Sequence, residues 1–327
     1  MRKRPDLTAR NELRAFVGWL TGKHTQADAD GTTTGRSFRR RTAWCWNVQP
    51  VLPPVSTIPD AVIVDGIWIG SWCLLIGINE TGNVLGWQWS GGESTAAWTA
   101  LLEQIPAPDV LVSDGGTGLP TALRAVWPDT KHQRCIFHLQ MNVTRHLTRN
   151  PRTDAGRALR GLAMQLSDVT TIDDAIAWRL RLDQWWQTFG HLTRERTMFV
   201  NGQFGFTHHR LRKAWLLLRH VVHRDVLFTH LTTGCPRTTS RLEGGVNSQI
   251  RALLRHHRGM TENHQRRAIE WFLVLHELDL TRALKLATLT VESEPAPVEE
   301  PDGPAHYDTG LTAEEGLWTR SGWAGRA

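Results

Sequence analysis

Residues 61–91, AVIVDGIWIGSWCLLIGINETGNVLGWQWSG, contain three short runs of aliphatic, β-branched and aromatic residues. The runs cover 61–70, 72–79 and 83–91, and each is bounded by residues that favour turns. The connection NETGN at 79–83 is short enough to join adjacent strands directly. The stretch therefore predicts an antiparallel meander of three strands.

The residues that follow alternate between helical and strand patterns. A helix is predicted near 94–104, a strand in DVLVSDGG at 109–116, a helix near 118–126 and a strand in HQRCIF at 132–137. Residues 139–232 carry Leu, Trp and Arg at helical spacing, and two further helices are predicted to end near 257 and to cover 262–286. The chain is therefore expected to be an α/β protein with a βββαβαβ mixed sheet and a large all-helical segment before its last helices.

Length and composition limit the class of protein. The 327 residues can bury one large core or two smaller ones, and no run of 18 apolar residues or signal-peptide core occurs. The four cysteines include no CxxC pair, which argues against a zinc ribbon or a disulfide framework. An intracellular, cytoplasmic protein without membrane association is expected.

Charge is distributed unevenly along the chain. The net charge is +6, although residues 290–319 contain eight acids and no Lys or Arg. We expect the Pro- and Glu-rich segment 290–327 to be disordered. The cations are 33 Arg and 5 Lys, and guanidinium groups suit phosphate binding. A G+C-rich genome is an alternative source of this ratio, but it does not explain why the arginines cluster.

Three acidic residues stand where buried or structured backbone is expected. Asp65 lies in VIVDGIW, Asp114 ends VLVSD, and Glu243 follows Ser240 at a predicted helix start. A buried carboxylate without a partner is costly, so such positions indicate a metal ion, a cation or a proton. Both Asp-Gly sequences are also typical of turns, and Ser240 to Glu243 also fits a helix capping box.

Considered together, the acids fit a known layout. Carboxylates on the first and fourth strands of a βββαβ order, with a glutamate on a late helix, are the arrangement of ribonuclease-H-like nucleotidyl transferases. Three such carboxylates can hold two Mg²⁺ or Mn²⁺ ions that clamp a phosphodiester.

Three blocks of the sequence resemble a known family. The segments VIVDGIWI, LVSDGGTGLPTALRAVWPDTKHQRCIFHLQMNV and TTSRLEGGVNSQIRALLRHHRGM are similar to those of Mutator-type bacterial insertion-sequence transposases of the DDE class. The resemblance implies that Asp65, Asp114 and Glu243 bind the metal ions, and that the helical residues 139–232 are an insertion between the second and third acids. It also matches a Cys-x-x-His signature at Cys135 and His138, which places His138 near the active site; core packing is the alternative for Cys135.

The resulting hypothesis is a transposase that cuts DNA at element ends and joins the 3′-OH to target DNA. Double-stranded DNA is the expected partner, and the protein is expected to act as a homodimer or larger assembly. Arginines assigned to phosphate binding are Arg39, Arg40, Arg41, Arg237, Arg241, Arg251, Arg255 and Arg258, with a solvated helix face as the alternative. Trp185 and Trp186 either stack on an unpaired base or pack in the core. A derivative that only binds DNA and a nuclease on the same fold are the competing functions.

The domain boundaries follow from these patterns. Residues 1–45 are predicted to form a helix and then a basic loop. The resemblance implies a cysteine-paired DNA-binding segment ahead of the catalytic domain, and because no cysteine pair precedes GRSFRRRTAWCW, a truncated DNA-binding region is expected here. The catalytic domain is expected to comprise 46–138 and 233–289, separated by the insertion at 139–232 and followed by the tail at 290–327.

Overall fold

The computed structural model describes residues 5–31, 33–116, 118–198 and 202–289. Its N-terminal part is helical, with a short strand at its end. The elements are α1 (Pro5–Thr21), α2 (Gln26–Asp30), α3 (Arg36–Thr42), a 3-10 helix (Ala43–Asn47) and β1 (Val48–Gln49). The basic run Arg39, Arg40 and Arg41 lies in α3, so its predicted loop conformation is wrong. Phe38 of α3 is fully buried, and this apolar anchor orders the segment.

A five-stranded mixed sheet follows, and it has the predicted βββαβαβ order. Its elements are β2 (Ala61–Ile69), β3 (Trp72–Asn79), β4 (Val84–Ser90), α4 (Thr95–Leu102), β5 (Val110–Ser113), α5 (Leu119–Val126) and β6 (Lys131–Arg134). The spatial order is β4-β3-β2-β5-β6. The β2–β3 and β3–β4 pairs are antiparallel, whereas β2–β5 and β5–β6 are parallel. The meander is thus joined to two parallel strands through its first strand.

The two faces of the sheet are covered by different helices. Val62 and Val64 of β2 face a core that contains Trp98 and Leu123, from α4 and α5. The alternate residues Ile63 and Ile67 face a second core. That core is formed with the C-terminal helices, through Leu242, Val246, Ile250, Ile269 and Leu273. Asp65 has the same parity as Ile63 and Ile67, so its side chain belongs to the face covered by the C-terminal helices.

Residues 136–233 form a mainly helical segment with a hydrophobic core of its own. Its elements are α6 (Ile136–Leu147), α7 (Asp154–Met164), α8 (Ile172–Phe189), β7 (Arg196–Met198), β8 (Phe204–Phe206), α9 (His209–His223) and α10 (Thr229–Thr233), with 3-10 helices at Gln165–Asp168 and Gly190–Thr193. The antiparallel pair β7–β8 shows that the all-helical prediction for 139–232 is wrong in this detail. In the sequence, two short runs of strand-forming residues flank an Asn-Gly pair at 201–202, and this pattern favours a hairpin.

The C-terminal part returns to the sheet and to α1. A π-helical turn (Leu242–Asn247) continues into α11 (Ser248–His256), and α12 (Glu262–Glu277), α13 (Leu280–Leu286) and β9 (Thr288–Leu289) follow. The single helix predicted over 262–286 is interrupted, because Asp279 caps α13 by accepting hydrogen bonds from the Thr281 and Arg282 amides. β9 pairs with β1, and Trp271 packs in one core with Phe16 and Phe38. None of the helices among the described residues is long and apolar enough to cross a membrane. The predicted tail at 290–327 lies outside the described residues.

Candidate active site

Asp65 and Asp114 lie side by side on neighbouring strands. β2 and β5 are parallel, and their register pairs Val64 with Ser113. The residue after Val64 is Asp65, and the residue after Ser113 is Asp114. Asp65 is in the interior of β2, and the turn interpretation of this residue is therefore wrong. Asp114 does begin a turn after β5: its Oδ1 accepts a hydrogen bond of 2.9 Å from the Gly116 amide, and Gly115 has φ +84°. That turn fixes the Asp114 carboxylate at the end of the sheet.

Glu243 reaches the same end of the sheet from the π-helical turn. Leu242 and Val246 of this turn are buried against the sheet, which leaves Glu243 and Asn247 on an adjacent face. The Asn247 amide donates a 2.9 Å hydrogen bond to Oδ2 of Asp65. The helix therefore brings Glu243 to the Asp65 side of the sheet.

The predicted capping box is not formed. The Thr239 hydroxyl donates a 2.6 Å hydrogen bond to Oε1 of Glu243, and the Glu243 amide donates to the Thr239 carbonyl. Thr239 thus precedes the helix where Ser240 was expected to do so, and the hydroxyl of Ser240 lies 2.9 Å from that of Thr238 instead. Capping alone does not account for Glu243.

His138 and Cys135 connect this helix to the end of β6. Cys135 precedes α6 and is fully buried, and its Sγ accepts from the Thr239 amide at 3.4 Å. Nδ1 of His138 lies 3.4 Å from the Thr239 hydroxyl and 3.7 Å from Oε1 of Glu243. Cys135 and His138 therefore both contact Thr239, and His138 also lies close to Glu243.

The surroundings of His138 favour its charged form. Burial opposes the charge, but the hydrogen bond to Cys135 and the charges of Asp114, Cys135 and Glu243 outweigh this cost and raise the pKa of His138 to about 10. An imidazolium at this position partly offsets the acids around it, and it can donate a hydrogen bond to an anion.

A fourth acid, Glu93, lies in the same cluster and was missed by the sequence analysis. Burial, together with the charges of Asp114 and Asp65, raises the pKa of Glu93 well above its usual range. The pKa of Asp65 is raised in the same way, by burial and then by Asp114 and Glu243. Two half-buried carboxyls with raised pKa values among further acids form a site in which negative charge exceeds the positive charge of His138.

The donor set fits a hard divalent cation. Carboxylate oxygens are the ligands that Mg²⁺ and Mn²⁺ prefer, and the cluster offers them at the end of the sheet, near glycines at 66 and 116. Within the described part of the chain, no three His, Cys, Asp or Glu side chains are already close enough to hold one ion. Asp65, Asp114 and Glu243 would therefore have to rotate toward an ion in order to bind it together.

Parts of the chain are similar to known proteins. Residues 69–211 match the family model described as "Transposase, Mutator family". A 73-residue stretch is 37% identical to the transposase for insertion sequence element IS6120 of Mycolicibacterium smegmatis, over 21% of this chain and 23% of that protein. An 86-residue stretch is 30% identical to the transposase for IS905 of Lactococcus lactis, over 24% of this chain and 22% of that protein. The chain is similar to Mutator-family transposases over this part of its length.

The similarity covers only part of each protein. A third relative, the transposase for IS1201 of Lactobacillus helveticus, is 23% identical over 128 residues, which is 37% of this chain and 34% of that protein. The matched stretches thus span between 22% and 34% of these relatives. The Mutator-family model includes Glu93, Asp114 and His138 but neither Asp65 nor Glu243. The roles proposed for Asp65 and Glu243 are therefore supported by their positions in the structure and not by this family match.

The arginines assigned to DNA have different surroundings in the structure. Arg41 pairs with Asp30 at 3.2 Å, Arg39 donates to the Thr34 carbonyl, and Arg237 donates to the Ser167 carbonyl. The arginines on or just after the helix that carries Glu243 are all exposed, and they are Arg241, Arg251, Arg255 and Arg258. Arg40 in α3 is exposed as well. Gly244 and Gly245, which directly follow Glu243, have open space around them.

The tryptophans of α8 pack inside the helical segment. Trp185 is buried and donates to the Ala155 carbonyl at 2.9 Å. Trp186 stacks on Trp215 with ring centroids 4.7 Å apart, and Arg194 lies over its ring. The core-packing alternative is confirmed for Trp185, and base stacking by this residue would require the segment to open.

Proposed function

We propose that this chain is the catalytic part of a DNA transposase that uses Asp65, Asp114 and Glu243 on a ribonuclease-H-like fold. The observation that carries the proposal is that elements from three distant parts of the chain bring these acids to one end of the sheet. The sheet order and the position of residues 136–233 between Asp114 and Glu243 support the fold and the insertion. The insertion-sequence transposases among its relatives support element ends as substrate.

The reaction we propose has two steps, cleavage and joining. A water oxygen attacks the phosphorus at the element end, the bond from phosphorus to the 3′ oxygen breaks, and that oxygen leaves as a 3′-OH. The 3′-OH then attacks a phosphorus of target DNA, and a target 3′ oxygen leaves in its place. Two Mg²⁺ or Mn²⁺ ions bound to the carboxylates would supply the charge that stabilises the attacking and leaving oxygens.

The other residues of the site bind and orient groups. Asn247 holds Asp65, and Thr239 holds Glu243, so each carboxylate keeps one oxygen fixed. His138 is placed to donate a hydrogen bond to a phosphate oxygen. The exposed arginines near Glu243 are suited to grip the phosphates of duplex DNA, and such contacts position the strand without reading its sequence. Because two ends must be cut, we propose that the active form is a dimer or larger.

The proposal is tested with the purified chain, Mn²⁺ or Mg²⁺, and a labelled duplex that carries the terminal inverted repeats flanking the reading frame. Denaturing gels separate 3′ cleavage from joining to a target plasmid. We expect both products, and Asp114→Asn should lower cleavage at least about a thousandfold, because charge stabilisation by metal contributes several kcal/mol. Cleavage without joining would identify a nuclease, and DNA binding without cleavage would identify a binding-only derivative.

Thr239→Val tests whether the Thr239 hydroxyl orients Glu243. Valine keeps the shape of threonine at this buried position but removes the 2.6 Å hydrogen bond. We expect the cleavage rate to fall about 10- to 100-fold, as is usual for groups that orient metal ligands. Thr238→Val is the matched control and should retain activity, since its hydroxyl contacts only Ser240. Equal rates for the two variants would contradict an orienting role.

A further inference from the structure

Glu93 lies in a connection whose two ends are fixed. The connection joins β4 to α4, and the Ser90 hydroxyl closes its first turn by donating to the Gly92 carbonyl at 2.6 Å. At its other end, the Ser94 hydroxyl caps α4 by accepting from the Ala97 amide. The backbone at Glu93 is therefore held on both sides by hydrogen bonds. The Glu93 side chain lies on the α4 face of the sheet and reaches the middle of β2 and the residues just after β5.

Two glycines make room for the Glu93 carboxylate. A Cβ added to Gly66, in β2, would lie 2.7 Å from Oε1 of Glu93. A Cβ added to Gly116, after β5, would lie within 4 Å of carboxylate oxygens of both Glu93 and Asp114. The carboxylate therefore occupies space that any other residue at 66 or 116 would fill, and it shares that space with Asp114.

The carboxylate of Glu93 has no hydrogen-bond or ion-pair partner among the described residues. The charges of Asp114 and Asp65 act on it most strongly, and the charge of His138 opposes them only in part. The cluster contains a further polar atom in need of a partner, because Oδ1 of Asn247 is buried and accepts no hydrogen bond from the described residues. Like charges buried together require a cation or protons for stability.

We propose that Glu93 is a further carboxylate of the metal site. It lies against Gly66 and Gly116, on the face of the sheet opposite to Asp65, and it acts together with Asp114. This inference rests on the proposed function, since it takes the divalent ions of the cleavage reaction as its ligand. A purely structural glutamate, protonated and filling space, is the competing explanation.

The test measures Mn²⁺ binding to the full chain by calorimetry, without DNA. Glu93→Gln keeps the size of the side chain and removes its charge, and we expect it to weaken Mn²⁺ binding at least about tenfold. Glu103→Gln, which changes an exposed acid at the end of α4, is the control and should bind as the wild type does. In metal-free buffer, Glu93→Gln should melt at a higher temperature than the wild type, because one of several neighbouring buried like charges is removed.

A second variant reaches the same carboxylate without changing it. Gly66→Ala places a methyl group where Oε1 of Glu93 now lies, and the flexible glutamate can move aside at little cost to the fold. We expect Gly66→Ala to weaken Mn²⁺ binding by a similar factor, and to have little added effect in a Glu93→Gln background.

The outcomes separate this inference from the proposed function. If Glu93→Gln and Gly66→Ala both bind Mn²⁺ as the wild type does while Asp114→Asn does not, Glu93 is structural and the inference is wrong. If Asp114→Asn also binds normally, the metal site itself is misplaced and the proposed function fails. Loss of binding in all three variants, with Glu103→Gln unchanged, supports both.

Discussion

Glu243→Gln is expected to lower metal-dependent cleavage of element-end DNA at least about a thousandfold, because the change removes a charge that we propose binds the metal ions. Glutamine keeps an oxygen that can accept the hydrogen bond from Thr239, so the helix start should survive. The melting temperature should therefore stay within a few degrees of the wild type, and DNA affinity within a few-fold. Single-turnover cleavage, thermal melting and a binding titration measure the three quantities.

A matched control separates charge at the site from charge in general. Asp183→Asn removes one acid from the exposed side of α8 in the helical segment, and it should cleave at the wild-type rate. If Glu243→Gln also cleaves at nearly the wild-type rate, Glu243 serves the helix alone and the three-acid site is wrong. If it loses its fold together with its activity, the Thr239 contact matters more for stability than for catalysis.

Trp271→Ala is expected to destabilise the protein by about 3–5 kcal/mol, as is typical for truncation of a buried tryptophan. Trp271 of α12 is fully buried in the core that it shares with Phe16 of α1 and Phe38 of α3. Its indole nitrogen makes no hydrogen bond to any described residue, so the loss comes from packing. Chemical denaturation measures the change.

The position of the damage is also expected to be informative. Because α1 and α3 pack in the same core as Trp271, limited proteolysis of Trp271→Ala should cut first within residues 5–47. Trp44→Ala, which removes a half-buried tryptophan near α1, is the comparison and should cost less. Equal destabilisation by the two variants, or first cleavage inside α6–α10, would show that the N-terminal helices do not depend on Trp271.

The sheet could be predicted closely from the sequence. Three apolar runs with tight turns between them appear as β2, β3 and β4, with ends within one residue of the predicted ones. Strands buried on both faces leave a continuous apolar signal, which turn residues then divide. β6 was placed a residue or more too late, because Cys135 and Ile136 are apolar but belong to the start of α6.

The less predictable features depend on contacts between distant residues. The conformation of α3 follows from the burial of Phe38 in a core with residues of α1 and α12, which overrides the glycines and threonines that precede the helix. Glu93 stands in a Gly-rich connection that reads as an ordinary turn, and only the sheet brings it to Asp114. Thr239 and Asn247 could have been found, because each is four residues from Glu243 and forms a polar face with it on a helix.

The π-helical turn gives the last part of the site an angular offset. An α-helix advances about 100° per residue, so one extra residue in a turn rotates everything beyond it by that amount. Glu243 lies in this turn, and Arg251 and Arg255 lie beyond it on α11. Ser248 stabilises the widened backbone by donating to the carbonyls of Gly244 and Gly245.

Deleting Gly244 or Gly245 would restore a regular α-helix and change that phase. Ile250 and Leu253 are anchored in the core, so they would hold α11 while Glu243 swung away from Asp65. The protein would keep all of its acids and arginines, and it would still lose the alignment between the arginines proposed to bind DNA and the glutamate proposed to act in cleavage. The number of residues in the turn at Gly244 and Gly245 therefore determines how Glu243 is rotated relative to Arg251 and Arg255 on α11.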